Sequence, residues 1–384
     1  MSFLHVLNDG WLASLPLLLP FIQKDLHIEF GKRGLLTSIR SVAGVVLAIP
    51  AASISRRFGG FKILILAAAL YSCAFVLTGL SSSFSFLVLA FILASVGFGI
   101  FHPVSFSLIA HLSKPEKIGA QMGNFTAIGD IGRIGVAACV TLLVSWLNWR
   151  NTAFIFGCVP LALVFAMVMS TKGGAIWTAA EGGSEEVHGL HCNTRFILAI
   201  ASGCIDSLAG SSLFVFIPFL YLYRGASTAL LGSLSGAFFV GNMLGKIVSG
   251  KITDRLGSHR TFIFSEIIMA ALLIGLCGAK SVIVIAAISI ALGAVTKGTV
   301  PVINTIITAS VPDKRLYDKA FGISSFANGI AAVIAPLLFG LIIDRRGILT
   351  VFWLSACFAL AAILPLLAGL VIQRRKDENS TKAA

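Results

Sequence analysis

Residues 52–62 read Ala52-Ser-Ile-Ser-Arg56-Arg57-Phe58-Gly59-Gly-Phe-Lys62, and 198 positions later residues 250–260 read Gly250-Lys-Ile-Thr-Asp254-Arg255-Leu256-Gly257-Ser-His-Arg260. The two stretches share an Arg-x-Gly core, and the same offset carries Pro20-Phe21-Ile22 onto Pro218-Phe219-Leu220 and Pro103-Val104 onto Pro301-Val302. The chain is two copies of one design in tandem. Because each copy is almost wholly apolar, the pattern is that of a secondary transporter, in which two membrane bundles rock around a site between them.

With 57% hydrophobic and 12% charged residues and a mean hydropathy of +0.96, the chain exceeds what a water-soluble core needs, so lipid is its solvent. A helix crossing the hydrocarbon layer needs about 20 apolar residues, and twelve such stretches can be placed. The first six are Phe3 to Ile22, Gly34 to Ser55, Phe61 to Leu80, Phe84 to Ala110, Ile118 to Leu147 and Thr152 to Ser170. The second six are Phe196 to Tyr223, Ala229 to Gly250, Thr261 to Ala279, Ser281 to Ser310, Ala320 to Ile343 and Leu349 to Ile372. The expected fold is therefore an all-α membrane protein of twelve transmembrane helices in two pseudo-symmetric six-helix bundles. Residues 1–170 form the first bundle, 171–194 a linker, 195–373 the second bundle and 374–384 a tail. The linker, with its Gly pairs, Glu185, Glu186, His188 and His191, has the composition of a flexible tether. A metal reading of His188, His191 and Cys192 lacks a fourth ligand and is not preferred.

The net charge of +13 does not signal nucleic acid, because the bases sit in loops where the positive-inside rule places them. Seventeen Lys and Arg fall on the side of the N-terminus and eight on the other, so both termini are expected in the cytoplasm. Of seven cysteines, six lie in apolar spans and none forms a Cys-x-x-Cys pair; they read as small core residues. The first helix lacks a basic start and a cleavage site, and carries His5 and Asp9 instead, so it is expected to stay in the mature protein.

Residues 250–260 resemble the signature loop of the major facilitator superfamily: glycine, three residues, aspartate, arginine, any residue, glycine, then bases. Gly250, Asp254, Arg255, Gly257 and Arg260 match it, and the resemblance implies a charged gating hairpin between helices eight and nine. In the first copy the glycine is Ala52 and the aspartate is Arg56, so Asp254 is the better candidate for a latch; both loops equally satisfy simple positive-inside bias. Three helices are similar to the fosmidomycin-resistance branch: His5-Val-Leu-Asn8-Asp9 through Pro16 and Pro20, Gly97-Phe-Gly99-Ile-Phe101-His102-Pro103, and Gly123-Asn124-Phe-Thr-Ala-Ile-Gly129. That branch implies export of small anionic or amphipathic compounds in exchange for protons.

An ionisable side chain at mid-bilayer costs at least about 2.5 kcal/mol, so each one present needs a reason. Asp9, Arg40, Asp130, Arg133, Asp206, Lys246 and Lys297 fall on helices that the superfamily resemblance places around a central cavity. Asp130 and Arg133 are three apart and share a face. If a substrate anion took Arg133, Asp130 would lose its counter-ion and tend to take a proton; the competing reading is a permanent pair stapling helix five to a neighbour. Lys297 matches Gly99 in the repeat, an asymmetry that favours binding. Arg40 is two turns from the expected outer end of its helix and can also snorkel to water; Lys246, close to the cytoplasmic end, snorkels or supports the adjacent Asp254 loop and is left out of the site. His5 and Asp9 are four apart on one face and suit proton handling or tethering. Asp206 is the second half's acid at the repeat position of Asn8. His102 precedes a proline and faces the cavity or a freed carbonyl. Glu266, near a helix end, is taken as reaching water and structural.

The expected substrate contacts are thus Arg133, Lys297, Arg40, His102 and Asn328. The expected proton groups are Asp130, Asp9, Asp206 and His5. Neither cofactor nor metal is called for; a proton gradient supplies the energy. The expected partner is a small anion, the localisation a bacterial-type inner membrane and the state monomeric. Export by proton antiport is the first reading and import by proton symport the alternative, with a channel or receptor on the same fold more remote. An enzyme is not expected, since no metal quartet, nucleotide loop or nucleophile-base set is present.

Overall fold

The structure, a computed structural model, describes residues 1–47, 50, 54, 58–112, 118–170, 193–311 and 317–383. The helices are α1 (Ser2–Leu26), α2 (Phe30–Val46), α3 (Gly60–Leu80), α4 (Phe84–Leu112), α5 (Ile118–Ser170), α6 (Thr194–Gly210), α7 (Leu213–Tyr223), α8 (Leu231–Leu256), α9 (Ser258–Gly278), α10 (Val282–Ser310), α11 (Tyr317–Arg346) and α12 (Leu349–Ala383). No strand occurs among the described residues.

Three expected boundaries change, each for a local reason. The fifth and sixth expected helices join as α5 and reverse at one residue, Asn148, whose φ is 69°. Asparagine tolerates positive φ, and here its Oδ1 accepts from the Asn151 N–H at 3.0 Å, capping the second arm as an N-cap residue does. The expected seventh helix is interrupted: α6 ends at Gly210 and α7 resumes at Leu213, across the weakly helical run Gly210-Ser211-Ser212. With α5 taken as two arms and α6–α7 as one broken helix, the helices are consistent with the expected twelve.

The third change concerns the loop motif. Gly250, Asp254 and Arg255 are not in a hairpin, because α8 continues to Leu256 and α9 begins at Ser258. The whole turn is Gly257, at φ 81°, a conformation that glycine adopts without penalty. Arg255 and Arg260 are exposed, while the side chain of Asp254 lies outside the described residues. So do Arg56 and Arg57 of the first copy, and the linker from 171 to 192. α12 runs through most of the expected tail.

Among the described residues, nine helical stretches are long and apolar enough to cross a membrane. Their outer faces show why water is not the solvent. Ile283, Phe165 and Leu364 stand 65–80% exposed, together with many other large apolar side chains, a surface that soluble proteins avoid. The described cysteines are all free, and none is fully buried; Cys139 and Cys357 face outward, so the expected core role does not hold for them.

The two halves meet along α2–α11 and α5–α8. At the first crossing Gly34 lies against the Pro336 carbonyl and Gly340 against that of Phe30, leaving no room for a Cβ on either helix. Small residues permit this backbone approach in a membrane. Arg33, expected in a loop, is instead 1% exposed because α2 begins at Phe30. Its guanidinium lies 3.1 Å from the Phe30 ring centroid and 4.4 Å from that of Phe219 in the other half.

A charge network facing a cationic cavity

Between the halves lies a cavity of about 320 Å³, walled by residues that include Arg40, His102, Arg133, Asn242 and Lys297. Leu12, Phe98, Phe214, Phe238 and Phe239 supply apolar walls, and Gly210 and Ser211 bring the α6–α7 break to its edge. Among the described residues no carboxylate lines it. The acids stand one layer behind.

Asp9, one turn along α1 from His5, is 1% exposed. Arg133 Nη2 approaches its Oδ2 at 2.8 Å, the Asn8 amide donates to its Oδ1 at 3.0 Å, and His102 Nε2 lies 3.4 Å away on α4. Arg133 turns its other nitrogen, Nη1, to Asp130 Oδ1 at 2.9 Å. Lys246 Nζ then reaches Asp130 Oδ2 at 2.8 Å from α8. A continuous chain thus runs from His5 through Asp9, Arg133 and Asp130 to Lys246, crossing from the first half to the second. Lys246 was expected to snorkel to water or to support the Asp254 loop. It finds an acid instead, because α5 and α8 pack together and Asp130, 1% exposed, has an oxygen left over from Arg133.

The His5 contact constrains protons. Its Nδ1 lies 2.8 Å from the Phe125 carbonyl oxygen, which only accepts, so Nδ1 carries the hydrogen. Nε2 then meets Asp9 Oδ2 at 3.3 Å. A lone pair facing a carboxylate is repulsive, so this contact is favourable when one further proton lies between them. Phe125 stacks on the imidazole at 3.9 Å, fixing the ring. His5, Asp9 and His102 together have metal-ligand spacing, but the guanidinium on Asp9 supplies the cation there.

Arg40 and Lys297 are held differently. α2 starts at Phe30, so Arg40 sits about 15 Å from that end at 1.5 Å per residue, too deep for the expected snorkelling. Its Nε is buried and without a hydrogen-bond partner among the described residues. Lys297 has no ion-pair partner among the described residues and points at the cavity. Two cations without an ion-pair partner among the described residues and a third shared between two acids make a wall that attracts anions.

The remaining expected residues stand apart. Asp206 is 7% exposed on α6, accepts from Thr299 Oγ1 at 3.1 Å and does not line the cavity. Asn328 is also off the wall, with its Oδ1 buried beside Gly203. Glu266, expected to reach water, is fully buried.

A model of the Major Facilitator Superfamily matches residues 1–191 and 196–384. The chain belongs to the Major Facilitator Superfamily. It is a multi-pass membrane transporter rather than an enzyme. Among similar superfamily members, a probable sulfoacetate transporter of Cupriavidus necator is 22% identical over 85% of this chain and 82% of its own length. A chloramphenicol resistance protein of Streptomyces lividans is 24% identical over 62% of each chain. A probable 4-methylmuconolactone transporter of Cupriavidus pinatubonensis is 25% identical over 65% of this chain. The match spans about three-fifths of the length of these last two relatives, 62% and 60%. In fold, the chain superposes with a TM-score of 0.72 on a bacterial homolog of the human lysosomal transporter Spinster, at 17% identity, covering 96% of this chain and 93% of that one.

Proposed function

We propose that this superfamily member carries a small organic anion across the membrane by alternating access, together with a proton. The observation that carries the reading is the cavity wall: Arg40, Arg133 and Lys297 face the space, while Asp9 and Asp130 are withdrawn behind Arg133. An anion bound there competes with both acids for the guanidinium. Once Arg133 turns to the anion, Asp9 and Asp130 lose a counter-charge in a dry interior and take up a proton, since a buried unpaired carboxylate is costly. The sulfoacetate relative supports an anion that bears a sulfonate or carboxylate.

Such coupling makes proton and anion binding cooperative. Cooperative binding loads both on the same side, which is symport; antiport needs the two to exclude one another. The site therefore favours import by symport over the export by antiport suggested by the fosmidomycin-branch resemblance. We place the chain in a bacterial inner membrane with both termini in the cytoplasm, on the loop-charge bias.

The test is proteoliposomes with a trapped pH dye, screened with phosphonates, sulfonates and carboxylates. Symport acidifies the lumen when the anion is added outside, whereas antiport makes it alkaline. Asp130→Asn and Arg133→Gln are expected to reduce substrate-dependent proton flux sharply, with a thermal melt separating lost coupling from lost folding. Undiminished proton flux in both variants would reduce the network to a structural staple, and silence toward every anion would sink the anion reading.

A further inference from the structure

Glu266 on α9 has no part in the cavity network, yet it is fully buried, and neither of its oxygens meets a hydrogen-bond donor among the described residues. The charged group that acts on it is another acid, Asp206 of α6. Asp206 spends Oδ2 on Thr299, at 3.1 Å, and leaves Oδ1 buried without a donor. Its side chain is within hydrogen-bonding reach of Glu266. The hydroxyl of Ser202, one turn earlier on α6, is likewise fully buried and unpartnered. Lys297 of α10 acts on Asp206 through space without forming an ion pair. From α11 the neutral Asn328 amide stands near Gly203, and no group of α8 or α12 is among those acting on either acid.

Two carboxylates that face one another without a donor cannot both carry charge in a medium that does not solvate them. A proton between them turns two idle acceptors into a donor and an acceptor. We propose that Asp206 and Glu266 form an acid pair holding one shared proton inside the second half of the transporter, with Lys297 as the distant balance of its remaining charge. Resting on the anion reading above, a consequence follows: when the anion neutralises Lys297, the pair loses that balance and takes a second proton from water. The second half then has its own coupling unit, separate from Asp130 and Arg133, and joins it only through the shared anion.

The first experiment needs no substrate, so it fails or succeeds independently of the anion reading. Infrared difference spectra of the purified protein at neutral pH are expected to show a protonated-carboxyl C=O stretch that Glu266→Gln removes and Asp206→Asn shifts in frequency. A spectrum in which neither variant alters such a band would overturn the pair. A band that vanishes when sodium replaces choline at constant pH would also overturn it, in favour of a sodium site. Should Glu266→Gln not fold, the Asp206→Asn shift decides alone. The second experiment is calorimetry of anion binding in buffers of different ionisation enthalpy. Proton uptake per anion is expected to fall in Glu266→Gln, and unchanged uptake would disconnect the pair from transport.

Discussion

Lys297 and Arg133 face the same cavity but are anchored differently, and substitution separates what each does. Arg133 holds two buried acids; replacing it with Gln leaves both without their guanidinium, a loss of the order of 3–5 kcal/mol for a broken buried pair, so its effects on transport and on folding are entangled. Lys297 holds no acid. Lys297→Met removes a buried charge that no ion pair holds among the described residues, and the Asp206–Glu266 pair that it balances from a distance can answer by taking a second proton, so the fold loses little. We expect the anion affinity of Lys297→Met to fall about tenfold or more, equivalent to about 1.4 kcal/mol, with little change in melting temperature. Calorimetry and a thermal melt measure both; an unchanged affinity would remove Lys297 from the site. The Asp130–Arg133 contact was legible in the sequence from three-residue spacing alone. Lys246 was not, because its partner lies 116 positions away and only the packing of α5 on α8 names it. Glu266 was misread for a related reason: its depth along α9 was visible, but which neighbours cover it was not.

At the scale of elements, α2 and α11 form a crossing whose end is closed by a borrowed cap. Glu29 precedes α2 but makes no side-chain cap. Asp344, at the end of α11 in the other half, supplies it instead, accepting from the N–H of Phe30 at 2.7 Å and of Gly31 at 2.5 Å. A carboxylate at a helix N-terminus is stabilising by about 0.3–1 kcal/mol, and up to about 2 in a sheltered site. Because this cap joins two halves, its energy belongs to the closed arrangement of that end and is lost when the end opens. Asp344→Asn is expected to raise the open population several-fold, read as longer distances between spin labels at Lys32 and Arg346, both exposed. An unaltered distance distribution would mean that the glycine crossing at Gly34 and Gly340 closes this end unaided. Apolar run length and the repeat offset made the helices themselves legible. The break at Gly210 and the continuation of α8 to Leu256 were less so, since both depend on what packs beside them.

In the whole molecule, the same carboxylate serves proton and motion. Asp130 is bonded at once to Arg133 in its own half and to Lys246 in the other, so it ties together two bodies that alternating access must move apart. A proton on Asp130 weakens both bonds, which makes the proton a release for the α5–α8 contact as well as a charge to be carried. Asp130→Asn imitates that released state permanently: the amide keeps the shape but not the charge. Exchange of labelled for unlabelled anion, which needs reorientation of the loaded carrier alone, is then expected to continue in the variant with a weaker pH dependence. Uphill accumulation driven by a proton gradient is expected to fall to what the Asp206–Glu266 pair alone can drive. Counterflow and gradient-driven uptake in the same proteoliposomes measure the two separately. Loss of both activities in a folded variant would mean that Asp130 is needed for the motion itself, and undiminished accumulation would mean that Asp130 carries none of the coupled protons.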